Sequence, residues 1–338
     1  MTYSIFCYSD AGSELAIRLC SLLKLSNDNI HSTAKFAQRY GFTSHESISA
    51  DMEGLFRESD ALIFIGAAGI AVRTIAPHVV SKTSDPAVIV IDDQGRHVIS
   101  LLSGHIGGAN SMARGIAGLI GAEPVITTAT DGAGRFSCDA WAVTHDCAIS
   151  SMKAAKDVSA AILTHDIPIS SEYVLPEELP SGLTAGTDGE IGIYIGIRRE
   201  EPYDQTLRLI PRTVILGIGC RRGMPAADIM SAVRSVLDGA GIDMLSVGKI
   251  ASIDVKKDEK GILELAKILK VQPVFYSAEE LNAVPGEFDE SEFVRKTVGT
   301  GNVCERAAVL AGGELIIKKT AVSGVTVAVS VQDRRIEF

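Results

Sequence analysis

The sequence predicts an α/β protein: two three-layer α/β/α domains with mostly parallel sheets, joined through a small α+β middle domain. Apolar runs of strand length alternate with helical stretches over residues 1–131, and again from Thr213 onward, the pattern of strands and crossover helices in a parallel sheet. Between them, residues 132–205 hold short strand-like runs broken by Pro, Ser and Gly. A length of 338 residues suits two or three domains with packed cores. The domain limits read this way are 1–131, 132–205 and 212–338.

In the first domain, Tyr3 to Cys7 is a strand and Ser9 to Ser13 a turn. Glu14 to Leu25 is helical, with Leu15, Leu19, Leu22 and Leu23 on one face. Residues 26–45 are polar and poorly patterned. Ile48 to Glu58 is an amphipathic helix that leads into the apolar run Asp60 to Ile65, which ends in Gly66-Ala-Ala-Gly69. A helical stretch, Ile70 to Ala76, carries Arg73 and should end at Pro77, since proline disfavours helix at the residue before it. Val88 to Asp92 and Arg96 to Leu102 flank Asp93-Gln-Gly95, a hairpin signature. The second of these strands runs into Ser103-Gly-His-Ile-Gly-Gly108, then a helix from Ala109 to Ile120 capped by Gly121. Pro124 to Thr128 is a short strand that delivers Thr127, Thr128, Thr130 and Asp131 to its end.

Asp131 to Arg135, rich in glycine, reads as a hinge. Phe136 to Trp141 is a strand or short helix, Met152 to Leu163 a helix, and Tyr173 to Leu175, Leu183 to Ala185 and Glu190 to Ile197 are strands. Pro202 to Pro211 reads as a linker. Thr213 to Ile218 then opens the last β/α region, with Gly217-Ile-Gly-Cys-Arg-Arg-Gly223 as its turn and Pro225 in the first turn of a helix to Leu237. Ala251 to Val255, Asp258 to Leu269 and Val274 to Tyr276 continue the alternation. Helices over 292–298 and 302–311 flank Gly299-Thr-Gly301, and strands 315–318 and 325–329 close around Ser323-Gly324.

The formal net charge of -10 and an aromatic content of 5% argue against nucleic-acid binding, which calls for a basic face and stacking rings. The six cysteines form no Cys-x-x-Cys pair, and several sit in apolar segments, as buried thiols of a reducing compartment do. No basic stretch followed by a long apolar one opens the chain, and the longest apolar run, Ala61 to Val72, falls short of the roughly 20 residues that span a bilayer. A cytoplasmic protein with no membrane partner is expected.

Two strands end in glycine turns that lead into helices, around Gly66-Gly69 and Ser103-Gly108. A helix N-terminus there offers unpaired N–H groups and the positive end of its dipole to an anion. The same glycines also serve tight βα turns. With His105, Lys82, Arg73 and Asp131 nearby in sequence, the two loops point to a site.

Four segments carry a family resemblance: Gly69 to Pro77, Lys82 to Val88, Ser100 to Asn110 and Pro124 to Asp131. They resemble the signature of the cobalt-precorrin-5A hydrolase (CbiG) family of anaerobic cobalamin biosynthesis, and the likeness extends over nearly the whole chain. The part from Thr213 onward resembles the family's C-terminal domain, which also exists as a free-standing protein. The resemblance implies opening of the δ-lactone that joins the ring-A acetate of cobalt-precorrin-5A to C20. C20 and its methyl then leave as acetaldehyde, giving cobalt-precorrin-5B. It implies a cobalt-containing corrin intermediate with many carboxylates as the bound partner, pathway methyltransferases as neighbours, and no cofactor of the protein's own, cobalt being carried by the substrate.

Such chemistry needs a base to activate water, donors for the oxyanion, and cations and N–H groups for the carboxylates. His105 is the first choice for acid/base work, the alternative being a histidine that only holds its turn. Asp131 orients His105, acts as base, or caps the turn. Ser103 lacks a Gly-x-Ser-x-Gly elbow, so direct water attack is favoured and Ser103 joins the binding residues. The candidate binding set is Gly66, Gly69, Arg73, Lys82, Ser103, Gly104, Gly107, Gly108, Asn110, Thr127 and Thr128, with Gly219, Arg221 and Arg222 as a second anion site. Asn302 and Glu305 complete that second surface or cap a helix, and Asp85, before Pro86, has a turn role. No cluster has metal-ligand spacing. A non-catalytic tetrapyrrole-binding or transfer protein is the competing reading. A dinucleotide enzyme is disfavoured because no Gly-x-Gly-x-x-Gly occurs at these turns, and no Gly-Lys-Ser/Thr marks a P-loop.

Overall fold

The computed structural model describes residues 1–81, 84–105, 107–128 and 133–338. The chain forms two compact units, Met1–Val143 and Thr144–Phe338.

The first unit is built on a seven-stranded sheet: β1 (Tyr3–Cys7), β2 (Ile30–Thr33), β3 (Thr43–His45), β4 (Ala61–Ile65), β5 (Ala87–Ile91), β6 (His97–Leu102) and β7 (Glu123–Val125), in the order β3-β2-β1-β4-β5-β6-β7. Its helices are α1 (Asp10–Leu23), α2 (Ala34–Tyr40), α3 (Ile48–Glu58), α4 (Ala68–Ile75), α5 (Ala109–Ile120) and α6 (Cys138–Thr144). Every residue of β4 and β5 is buried, as expected of central strands covered on both faces. Alternate side chains serve the two faces. Ile63, Ile65, Ile89 and Ile91 pack with Leu15 and Leu19 of α1 and Ile116 and Ile120 of α5. Leu62, Phe64, Val88 and Val90 pack with Met52 and Phe56 of α3 and Ile75 of α4. This gives the three layers that the alternation predicts.

Two departures have local causes. Helix α1 begins at Asp10, inside the expected turn, because the Ser9 side chain accepts the Gly12 N–H at 2.9 Å and caps it. Residues 26–45 do hold structure, but β2, α2 and β3 are only 4, 7 and 3 residues long, too short for a period to emerge.

One pairing decides where the site lies. All neighbouring strands are parallel except β5 and β6. In that antiparallel pair Ile91 faces Val98 and Val88 faces Leu102. The loop after β6 therefore lies at the sheet edge where β4 and β5 begin, whereas the Gly66 loop lies at the edge where they end. Strand β7 runs parallel to β6 and brings Thr127 and Thr128 to the same edge as Ser103–Gly108.

The second unit holds two sheets. Strands β8 (Cys147–Ile149), β9 (Ile167–Ser171), β10 (Leu183–Ala185), β11 (Ile191–Ile195) and β12 (Gln205–Pro211) pair in the order β10-β9-β11-β12-β8, with helix α7 at Met152–Ala161. Only the β12–β8 pairing is antiparallel. Residues 205–211, expected as a linker, are instead strand β12: the flanking prolines suggested a connection, yet Leu207 and Leu209 are buried. The strand expected at Tyr173–Leu175 lies earlier, at β9.

The last sheet contains β13 (Val214–Cys220), β14 (Val247–Ile253), β15 (Gln272–Tyr276), β16 (Glu314–Val322) and β17 (Val325–Val331), in the order β15-β14-β13-β17-β16. Helices α8 (Ala226–Gly239) and α9 (Lys260–Leu269) cover one face through Ile229, Val233, Ile262 and Leu265. The other face takes Leu281 of α10 (Ala278–Ala283), Val294 of α11 (Glu292–Val298) and Ala307 of α12 (Cys304–Leu310). The expected turn at Ser323-Gly324 is present, both residues having positive φ. The partly buried pair Arg208 Nη1–Asp243 Oδ2, at 2.7 Å, and the Asp243 N–H donated to Ile197 O, at 2.8 Å, tie this sheet's domain to the middle one. Among the described residues, no helix is long and apolar enough to cross a membrane.

Candidate active site

The loop that follows β6 is held from within. Ser103 has φ 57°, is buried, and donates its hydroxyl to Asp85 O at 3.0 Å. The Asp85 carboxylate accepts the Val80 and Ser81 N–H groups, which fixes the turn role expected for it. A Cβ on Gly107 would run into Ser103, and one on Gly104 would stand 2.7 Å from Asn110 Oδ1. Gly108, at φ 81°, precedes α5 in the left-handed region. Glycine is thus required here for internal packing and turning. The first amides of α5 are also engaged: Ala109 N donates to Ser103 O at 3.1 Å and Asn110 N to Gly104 O at 2.8 Å. This part of the helix N-terminus is closed by its own loop, which corrects the expectation that it offers those N–H groups to an anion.

The outcome of this scaffolding is the placement of His105. Its Nδ1 lies 2.9 Å from Oδ1 and 3.0 Å from Oδ2 of Asp139, the second residue of α6. Ser137 Oγ donates to Asp139 Oδ1 at 2.9 Å, and the Ala140 N–H donates to it at 3.1 Å. Burial pushes the Asp139 carboxyl up, but the hydrogen bond and charge of His105, with Ser137, bring it below the usual carboxylate value. An ionised carboxylate can only accept, so Nδ1 carries the proton and the Nε2 lone pair is the basic one. The arrangement can take a proton from water and return it, with the imidazolium stabilised by the carboxylate behind it.

Several other candidates collect at this edge. Asn110, buried on α5, donates Nδ2 to Thr128 Oγ1 at 3.0 Å, and Thr127 is exposed beside it. Lys82 and Asp131 lie outside the described residues. Gly66, Gly69 and Arg73 do not join the group. Gly66 sits at the far edge of the sheet, its N–H donated to Ile91 O at 2.8 Å, and the exposed Arg73 folds its guanidinium back over Gly69. The antiparallel β6, not readable from composition, separates the two glycine loops.

The second expected anion site is also corrected. Gly217 and Gly219 lie within strand β13 and make no turn. A Cβ on Gly217 would strike the Cys304 carbonyl oxygen of α12, and one on Gly219 the Thr326 hydroxyl. Arg222 pairs with Asp258 at 3.4 Å, both exposed, and donates to Val255 O at 3.0 Å, while Arg221 lies against the Gly324 turn. Asn302 accepts the Glu305 N–H at 3.0 Å, in the manner of a helix cap. Glu305 is fully buried and accepts from Asn302, Asp289 and Lys319. It is therefore a structural carboxylate, not part of a surface. Among the described residues, no group of three or more His, Cys, Asp or Glu side chains could hold a metal ion.

Sequence reasoning missed Asp139. The available signal was Ser137-Cys-Asp139 at the head of a short helix, which reads equally well as a simple helix start.

Comparison with known proteins identifies relatives of this chain. The family model described as Cobalamin synthesis G N-terminal matches residues 51–131, and that described as Cobalamin synthesis G C-terminus matches residues 214–330. A cobalt-precorrin-5A hydrolase of Salmonella typhimurium is 36% identical over 97% of this chain and 97% of its own. That of Priestia megaterium is 32% identical over 84% of this chain and 82% of its own. Protein CobE of a Sinorhizobium species is 31% identical over 121 residues, 35% of this chain and 79% of its own, so a region the size of one domain has a smaller relative.

Proposed function

This chain belongs to the cobalamin synthesis G (CbiG) family, and on that premise we propose that it is a cobalt-precorrin-5A hydrolase. The observation that carries the proposal is the 36% identity over 97% of both chains to an enzyme of that name. The reaction is lactone opening followed by loss of acetaldehyde. Water adds to the lactone carbonyl carbon, the acyl C–O bond breaks, and the acetate side chain is freed as a carboxylate, leaving an oxygen on C20. That oxygen gives up its proton and becomes the carbonyl of acetaldehyde. The breaking C–C bond leaves its electron pair on the macrocycle, which is then protonated.

Within this scheme His105 is the base that takes the proton of the attacking water at Nε2 and the acid that returns one. Asp131, next to it in the expected set, is kept as a second proton-handling group. Thr127 and Thr128 are proposed to meet the substrate's carboxylates at the edge that carries His105, and Lys82 is kept in the proposed binding set for its charge. The cobalt is substrate-borne, and the chain's own residues supply the acid/base chemistry and the binding. We place the reaction in the cytoplasm, beside the methyltransferases that handle neighbouring intermediates. The buried thiols of Cys7, Cys20, Cys138 and Cys304 suit such a reducing compartment.

The test is an anaerobic incubation of the purified protein with cobalt-precorrin-5A, with acetaldehyde trapped and the corrinoid product weighed. One acetaldehyde per macrocycle consumed is the expected result. Tight binding of the macrocycle with none released would replace the hydrolase by a carrier of intermediates.

A further inference from the structure

We propose that Asp139 is the positioning residue of His105: its carboxylate holds the imidazole with the proton on Nδ1, so that Nε2 exchanges protons with water and substrate. This rests on the reading of His105 as the base. The geometry is specific. Both carboxylate oxygens lie within 3.0 Å of a single ring nitrogen, and Asp139 is 7% exposed. The carboxylate is itself fixed, since Ser137 Oγ and the Ala140 N–H donate to the same oxygen. A carboxylate held by a hydroxyl and a backbone amide cannot swing away when His105 becomes charged, so the ring keeps one orientation through a proton-transfer cycle.

The partner comes from an unexpected part of the chain. Asp139 stands on α6, beyond residues 51–131 that the N-terminal family model matches. The loop that carries His105 and the carboxylate that orients it are 34 positions apart and belong to different segments of the first unit. A bond that merely docks α6 onto the His105 loop would affect stability alone. A positioning bond also governs the ring's tautomer and the pH dependence of turnover.

The test uses the full-length protein, labelled with 15N-histidine, as wild type, Asp139→Asn, Asp139→Glu and His105→Ala. In the wild type the neutral His105 ring should be found with its proton on Nδ1. Asp139→Asn should shift the tautomer balance and lower kcat on the order of 10²-fold. It should also move the acidic limb of kcat/KM to lower pH, since the charge that favours imidazolium is gone. Asp139→Glu should recover part of the rate. A wild-type ring protonated on Nε2, or an Asp139→Asn enzyme with unchanged tautomer and pH profile, overturns the proposal, and the first holds even if the variants fold poorly. Full activity in His105→Ala would instead overturn the assignment of the base, a separate failure.

Discussion

His31 shows how a single buried side chain ties stability to pH in this protein. Its ring stacks on Phe6 at 5.2 Å, and its Nδ1 shares a proton with His45 Nε2 at 2.9 Å. His45 Nδ1 in turn meets Asp51 of α3 at 2.8 Å. Burial first, and the charge of His45 second, push the His31 pKa from 6.5 down to about 4. The folded protein thus keeps His31 neutral where the unfolded chain would protonate it. Between about pH 6.5 and about pH 4 the unfolded state binds more protons, and stability falls as pH drops. Urea unfolding across that window should show a loss on the order of 3 kcal/mol in the wild type, and His31→Asn should remove most of that slope. An equal slope in both would assign the effect to other groups. At this scale the sequence was informative for His105, whose neighbours Gly104, Gly107 and Gly108 mark a loop built to special geometry. Asp139 was illegible because an aspartate at a helix start is ordinary, and only the fold brings it to His105.

At the scale of elements, glycine has opposite meanings in two places. Gly217 is pressed against the backbone of α12, so that any Cβ meets the Cys304 carbonyl. Gly118, exposed in the last turn of α5, has nothing within 4 Å of an added Cβ. Gly217→Ala should therefore destabilise the protein by about 3 kcal/mol or more, by forcing α12 off the sheet. Gly118→Ala should stabilise it by roughly 0.5–1 kcal/mol, by adding helix propensity. Thermal unfolding of the two variants reads both signs, and a neutral Gly217→Ala would refute the close packing. Helix α5 was readable to its ends, Ala109 and Ile120, because a strong apolar period meets Gly108 and Gly121. Strand β12 was not: Pro202 before it and Pro211 at its end are loop signals, while its parallel pairing with β11 and the burial of Leu207 and Leu209 exist only in the fold. The same limit applied to Gly217 and Gly219, since turn glycines and packing glycines look alike until a helix lies across them.

For the whole molecule, alternation of strands and helices was enough to indicate an α/β fold with mostly parallel sheets. The direction of β6 was not, and it is what divides the expected glycine-loop set, leaving Gly66, Gly69 and Arg73 at one edge and His105, Asn110 and Thr128 at the other. The chemistry proposed here thus depends on one edge of the first sheet and on a histidine that a seven-residue helix holds in register. The most direct test of that claim is single-turnover release of acetaldehyde from cobalt-precorrin-5A by wild type and by His105→Ala, with binding of the macrocycle followed by its absorption spectrum. Both should bind, and the variant should release acetaldehyde at least 10²-fold more slowly. Equal rates from two proteins that bind equally well would contradict it and move the base away from His105.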